Sequence, residues 1–251
     1  MLATRYQELT KDLALSFDSL LANPTPEAVH RFRVGVRRTQ AILSIFPKEL
    51  GSGFSDSLKS TLRATSPLRD LDTMALTLQP FSSSHAPQVS KLTGRRASVV
   101  TKMSTELETI RPLKAPKLPL GFADSKKLTK KLRARIHERA ETSWELLGEV
   151  SQSEGKVDKL HRLRLEVKKL RYLLELTDGT EQERETLSGW QDLLGMAHDY
   201  DNAMAHLGRG KASKKAVDEL SKSRHATYRR FVRLSVTAKS KSVTKEIIRR
   251  A

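Results

Sequence analysis

His30, Arg33, Arg37 and Arg38 lie close together in the chain, and His161, Arg164, Lys168 and Lys169 repeat their spacing in its second half. These are residue types that hold anions. Arginine offers a planar fork that takes phosphate oxygens two at a time. Lysine adds a point charge. A neutral histidine donates one N–H, and a phosphate nearby raises its pKa and favours the charged form. Arg171 extends the second set, whereas Gln40 stands at the matching position of the first.

Helices must carry these groups. At 100° per residue, His30, Arg33 and Arg37 share one side of a helix, with Arg38 and Gln40 flanking. Val29, Phe32, Val36, Ile42, Leu43 and Phe46 fall opposite. The second copy lines up His161, Arg164 and Lys168 in the same way. Leu160, Leu163, Val167, Leu170, Leu173 and Leu174 form its apolar face. A single basic stripe is ordinarily a solvated face. Two copies with the same His-x-x-Arg-x-x-x-basic-basic spacing ask for more, because solubility alone does not require the histidine. One phosphate-sized site per helical turn, about 5.4 Å apart, would follow a long polyanion from site to site.

Other chemistries fit less well. A metal held by His30 or His161 with Asp70, Asp72, Asp199 or Asp201 is disfavoured, because arginine or lysine one turn away repels a cation. No metal and no cofactor is expected. The four aspartates are instead expected to pair with stripe arginines and orient them. His137-Glu138 begins like a zinc-protease helix, but Glu141 stands where the second histidine belongs. The acidic run Glu181 to Glu185 resembles the acidic cluster of triphosphate-tunnel enzymes, yet it lacks their terminal lysine and opens a helix, where carboxylates complement the dipole. There is no glycine-rich phosphate loop and no activated nucleophile, so no catalytic residue is assigned and the chain is not expected to be an enzyme.

The stretches HRFRVGVRR and HRLRLEVKKLRY resemble the two signature helices of the CHAD family, the conserved histidine α-helical domain. SPLRDLD at 66–72 and LLGMAHDYD at 193–201 resemble the paired segments that follow each signature helix. Gln40 and His198 depart from the pattern: His198 stands where the first copy has Arg69. The resemblance covers nearly the whole chain. It implies an all-α fold, with basic residues of both halves lining a shared surface or pore. It also implies a ligand, inorganic polyphosphate, bound without hydrolysis, and an association with polyphosphate granules.

Composition sets the outer bounds. The chain has 251 residues, 46 basic and 29 acidic, for a net charge of +17. Residues 1–111 carry +5 and 112–251 carry +12. Such a surface attracts polyanions. Nucleic acid is the rival partner, and duplex binding through charge alone is expected at low salt. However, aromatic side chains make up only 5% of the chain, and single-strand binders interleave them for stacking. There is no cysteine, which excludes disulfides and thiol chemistry and fits a cytoplasmic protein. No apolar run approaches the roughly 20 residues needed to span a bilayer.

Periodicity predicts eight helices and no strand, as two four-helix bundles related by a pseudo-two-fold axis within one domain, 1–251. The first half is 1–111 and the second 124–251. Between them, 112–123 is a Pro-rich linker. Thr25 and Pro26 predict the start of the signature helix, and Asp124 the start of the fifth. Pro67 predicts a bend in the third helix and the serines at 82–84 a loop. The eighth helix is predicted to start near Ala212. Arg95, Arg96, Lys130, Lys131, Arg135, Arg229 and Arg230 are secondary candidates for polyphosphate binding, chosen for charge on neighbouring helices.

Overall fold

Apolar residues recurring every three or four positions give a chain of helices. The computed structural model describes residues 2–47, 52–110, 114–118, 126–208, 214–237, 246–247 and 249, apart from the side chains of 82–85 and 216. The first four helices are α1 (Leu2–Ala22), α2 (Pro26–Leu43), α3 (Ser52–Leu78) and α4 (Ser82–Ile110). Then come α5 (Lys126–Val150), α6 (Val157–Leu174), α7 (Glu181–Gly208) and α8 (Lys214–Ser235). No strand occurs among the described residues, so the fold is all-α.

Local chemistry sets several boundaries. Thr25 caps α2 by accepting a hydrogen bond from the Ala28 N–H, with Pro26 in the first turn, where its missing N–H costs nothing. Gly179 takes φ +69° beyond the end of α6, a conformation that suits a residue without Cβ. One expectation is corrected. The serines at 82–84 are not a loop: a 3-10 turn over Gln79–Phe81 leads directly into α4 at Ser82. Serine is as much at home at a helix start as in a loop. Pro87 therefore lies inside α4, and Pro67 lies inside an uninterrupted α3. The predicted start at Asp124, the start near Ala212 and most of the basic tail from Lys239 lie outside the described residues.

The chain divides into two units, Met1–Leu76 with Pro87–Lys130, and Thr77–Ala86 with Lys131–Ala251. In the first, α1 packs on α2. Its core joins Leu13 and Phe17 of α1, Phe32 and Val36 of α2, Leu58 and Leu68 of α3, and Met103 and Leu107 of α4. The Tyr6 hydroxyl of α1 donates to the Pro116 carbonyl at 2.8 Å. Burial pushes that phenol up to about 12.

In the second unit α7 packs on both α6 and α8. Trp190 of α7, 1% exposed, stacks on Trp144 of α5 at 5.5 Å and meets Phe231 of α8 edge-on at 6.2 Å. The Tyr228 hydroxyl of α8 donates to the Val150 carbonyl at the end of α5. These contacts tie α5, α7 and α8 together.

Candidate anion-binding sites

In the first unit, burial of Phe32 and Val36 turns the polar side of α2 outward, and its basic residues part into two groups. Arg33 reaches α3. Its Nη1 donates to the Leu62 carbonyl and Thr65 Oγ1, both at 2.7 Å, and to Ser66 Oγ at 3.2 Å. Burial together with the charges of Arg37 and Arg69 lowers its pKa to about 10, against the opposing pull of Asp70. Arg37 is half-buried beside it. His30 and Arg38 instead line a cavity of about 800 Å³ between α1, α2 and α3, which Arg31 and Arg69 also border. Arg69 thus serves both groups.

In the second unit the residues gather more closely. His161 and His198 face each other, with Nδ1 atoms 3.4 Å apart and ring centres 4.6 Å apart. One nitrogen donates and the other accepts. Asn202 Nδ2 lies 3.1 Å from the His198 Nε2. Burial first, then the charges of Arg164, His161 and Lys168, lower the His198 pKa to about 4, so its ring is neutral at physiological pH. These three groups all belong to α6. Arg164 lies against α7 where Gly195 has no side chain: a Cβ there would be 3.9 Å from Arg164 Nε.

The repeated spacing gives the two units comparable neighbours at three positions. Arg37 and Arg69 act on Arg33 in the first, and Arg164 and Lys168 act on His198 in the second. The step along the chain from Arg33 to Arg164 equals that from Arg37 to Lys168, and the step from Arg69 to His198 is only slightly shorter.

Lys169 and Arg171 are more committed. Lys169 Nζ lies 2.9 Å from the Glu166 carboxylate, which Arg139 also holds at 2.8 Å. Burial would raise the Glu166 pKa, but these two hydrogen bonds outweigh it and hold the carboxyl below its ordinary range. Arg171 donates to Gln191 and Glu175 and lies 4.7 Å from the Tyr172 ring centre.

Among the secondary candidates, Arg95, Lys130, Arg229 and Arg230 are exposed, and Lys131 and Arg135 are half-buried. Arg96 is a clasp: it pairs with the buried Asp72 at 2.8 Å and donates to the Pro24 carbonyl just before α2. Arg224 of α8 does the same in the second unit, pairing with Asp201 at 3.1 Å and with Glu154, and donating weakly to the Glu154 carbonyl just before α6. Asp72 and Asp201 therefore do not orient stripe arginines as expected. They hold the fourth helix of each set against the segment that leads into the signature helix. Arg224 was missed as a partner, although Arg96 to Arg224 is nearly the same step along the chain as Asp72 to Asp201.

The CHAD domain model matches residues 5–208. The chain belongs to the CHAD family. A solved structure, the CHAD domain from the plant Ricinus communis, shares the fold of this CHAD protein, with a TM-score of 0.62 at 15% identity. The match covers 96% of this chain and 88% of that one. No curated protein matches the sequence. No helix among the described residues is long and apolar enough to cross a membrane.

Proposed function

We propose that this CHAD-family chain binds inorganic polyphosphate through the basic sets of α2 and α6 and does not hydrolyse it. One observation carries the reading: the repeated spacing crowds cations in both units, Arg37 and Arg69 acting on Arg33 in one, and Arg164 and Lys168 together acting on the neutral His198 in the other. Crowded like charges cost stability unless an anion joins them. A polymer with one negative charge per repeat, following the helix axis, meets that need at each turn. The family membership points the same way. The reading extends to a cytoplasmic protein that associates with polyphosphate granules.

Charge reversal tests it. Arg37→Glu with Lys168→Glu removes one cation from each set. Each lost charged contact is worth about 1.5–3 kcal/mol, so the pair should weaken polyphosphate binding by about a hundredfold or more. Lys239→Glu with Lys241→Glu, in the basic tail outside the described residues, should weaken it far less. Equal loss in both variants would mean diffuse attraction without a built site. Release of phosphate from polyphosphate in the presence of Mg²⁺ would overturn the non-catalytic part.

A further inference from the structure

Gly35 on α2 stands where the second unit has Glu166 on α6, at the same step that relates Arg33 to Arg164. Glu166 is buried, with Arg139 of α5 and Lys169 holding its carboxylate. That side chain and its partners fill the space between α5 and α6. Gly35 has no side chain, so Leu13 and Ser16 of α1 come close to it, and beside this contact a cavity of about 800 Å³ lies along α2.

The walls of this groove combine chemistries that a phosphate polymer does not need. Leu9 and Leu15 of α1, Val34 of α2 and Leu76 of α3 give it an aliphatic face. Leu15 and Leu76, which both line the groove, are 60% and 55% exposed and so offer apolar surface to a ligand. Arg38 and Arg69 supply positive charge and His30 a ring N–H. Asp12 and Glu27 supply hydrogen-bond acceptors for hydroxyl groups. The volume lies within the roughly 300–1,000 Å³ of small-molecule sites.

We propose that this groove binds a nucleoside phosphate. The phosphates lie against His30, Arg38 and Arg69, the sugar hydroxyls donate to Asp12 or Glu27, and the base covers Leu15 and Leu76. The inference uses two residues of the α2 stripe but does not depend on the polymer being the ligand.

The test is a calorimetric titration of the full chain with ATP and with inorganic triphosphate, without Mg²⁺, at about 0.15 M salt, where charges are screened beyond roughly 8 Å. Triphosphate offers the same phosphate chain without sugar or base. ATP should bind about tenfold more tightly or better, the worth of one covered leucine side chain. Gly35→Leu, which crowds Leu13 and Ser16 at the wall of the groove, should abolish that advantage and weaken triphosphate binding less than ATP binding. Leu15→Ser, at an exposed position that folding tolerates, should reduce it several-fold. Gly35→Ala should keep it, since a Cβ at this site meets Leu13 Cδ1 at 3.5 Å and Ser16 Oγ at 3.6 Å, ordinary contacts. No preference for ATP over triphosphate, or a preference that survives both Gly35→Leu and Leu15→Ser, overturns the proposal. Long-chain polyphosphate titrated into the unsubstituted protein separates the two readings: if only ATP binds, the polymer reading fails and the groove stands.

Discussion

His198 takes the charge of Arg164, His161 and Lys168 on a partly buried ring, and its pKa falls to about 4. In the unfolded chain a histidine titrates near 6.5. As pH falls the unfolded state therefore takes up the proton first, and stability is lost from about pH 6.5 down to about 4. The loss from this one group is at most about 3 kcal/mol. His198→Gln should remove that component, so the difference in urea stability between the variant and the parent should change between pH 7 and pH 4.5. A constant difference would contradict the assignment. A bound polyanion brings negative charge to the same ring and should pull its pKa back up. Polyphosphate binding should then tighten as pH drops from 7 to 5 and take up protons, seen as a heat that varies with the buffer's own ionisation enthalpy. In His198→Gln this variation should shrink. The spacing of His161, Arg164 and Lys168 was readable in the sequence, because helical periodicity alone puts them on one side. The anchoring of Arg33 was not. Its acceptors include the Leu62 carbonyl, and no residue type announces a distant backbone carbonyl.

The helices themselves were legible wherever side chains act locally. Thr25 and Pro26 start α2 because a hydroxyl cap and a fixed φ are properties of those two residues. The serines at 82–84 misled because the same residue type serves a loop and a helix start, and the turn at Gln79–Phe81 decides between them. The clasps between helices were read with the wrong partners. Asp72 and Asp201 were visible as a repeated pair, but their arginines sit on helices whose packing a one-dimensional pattern does not place. Arg96→Ala should cost about 3–5 kcal/mol, because it strands Asp72, whose side chain is 4% exposed. Arg224→Ala should cost less, about 1–3 kcal/mol, because Asp201 and Glu154 at 20% and 26% keep some contact with water. Denaturant unfolding of the two variants checks both the sizes and their order. If Arg96→Ala left stability intact while weakening polyphosphate binding, Arg96 would belong to the ligand site and not to the clasp.

Across the whole chain the loudest feature was the charge of +17. It selects polyanions as a class without saying which. The repeat narrows that class, since diffuse attraction has no reason to reproduce the cation positions of α2 on α6. The matched cation sets were legible from spacing, and the family from motif order. The groove at Gly35 was not, because a cavity depends on what three helices leave unfilled. The most direct test of a shaped polyphosphate site is a binding titration of long-chain polyphosphate at about 0.15 M salt with duplex DNA as competitor. Phosphate contacts to DNA weaken steeply with salt, whereas a site matched to the polymer keeps its ligand. The account predicts tight polyphosphate binding that excess DNA does not displace. Weak binding, or displacement by DNA, would contradict it.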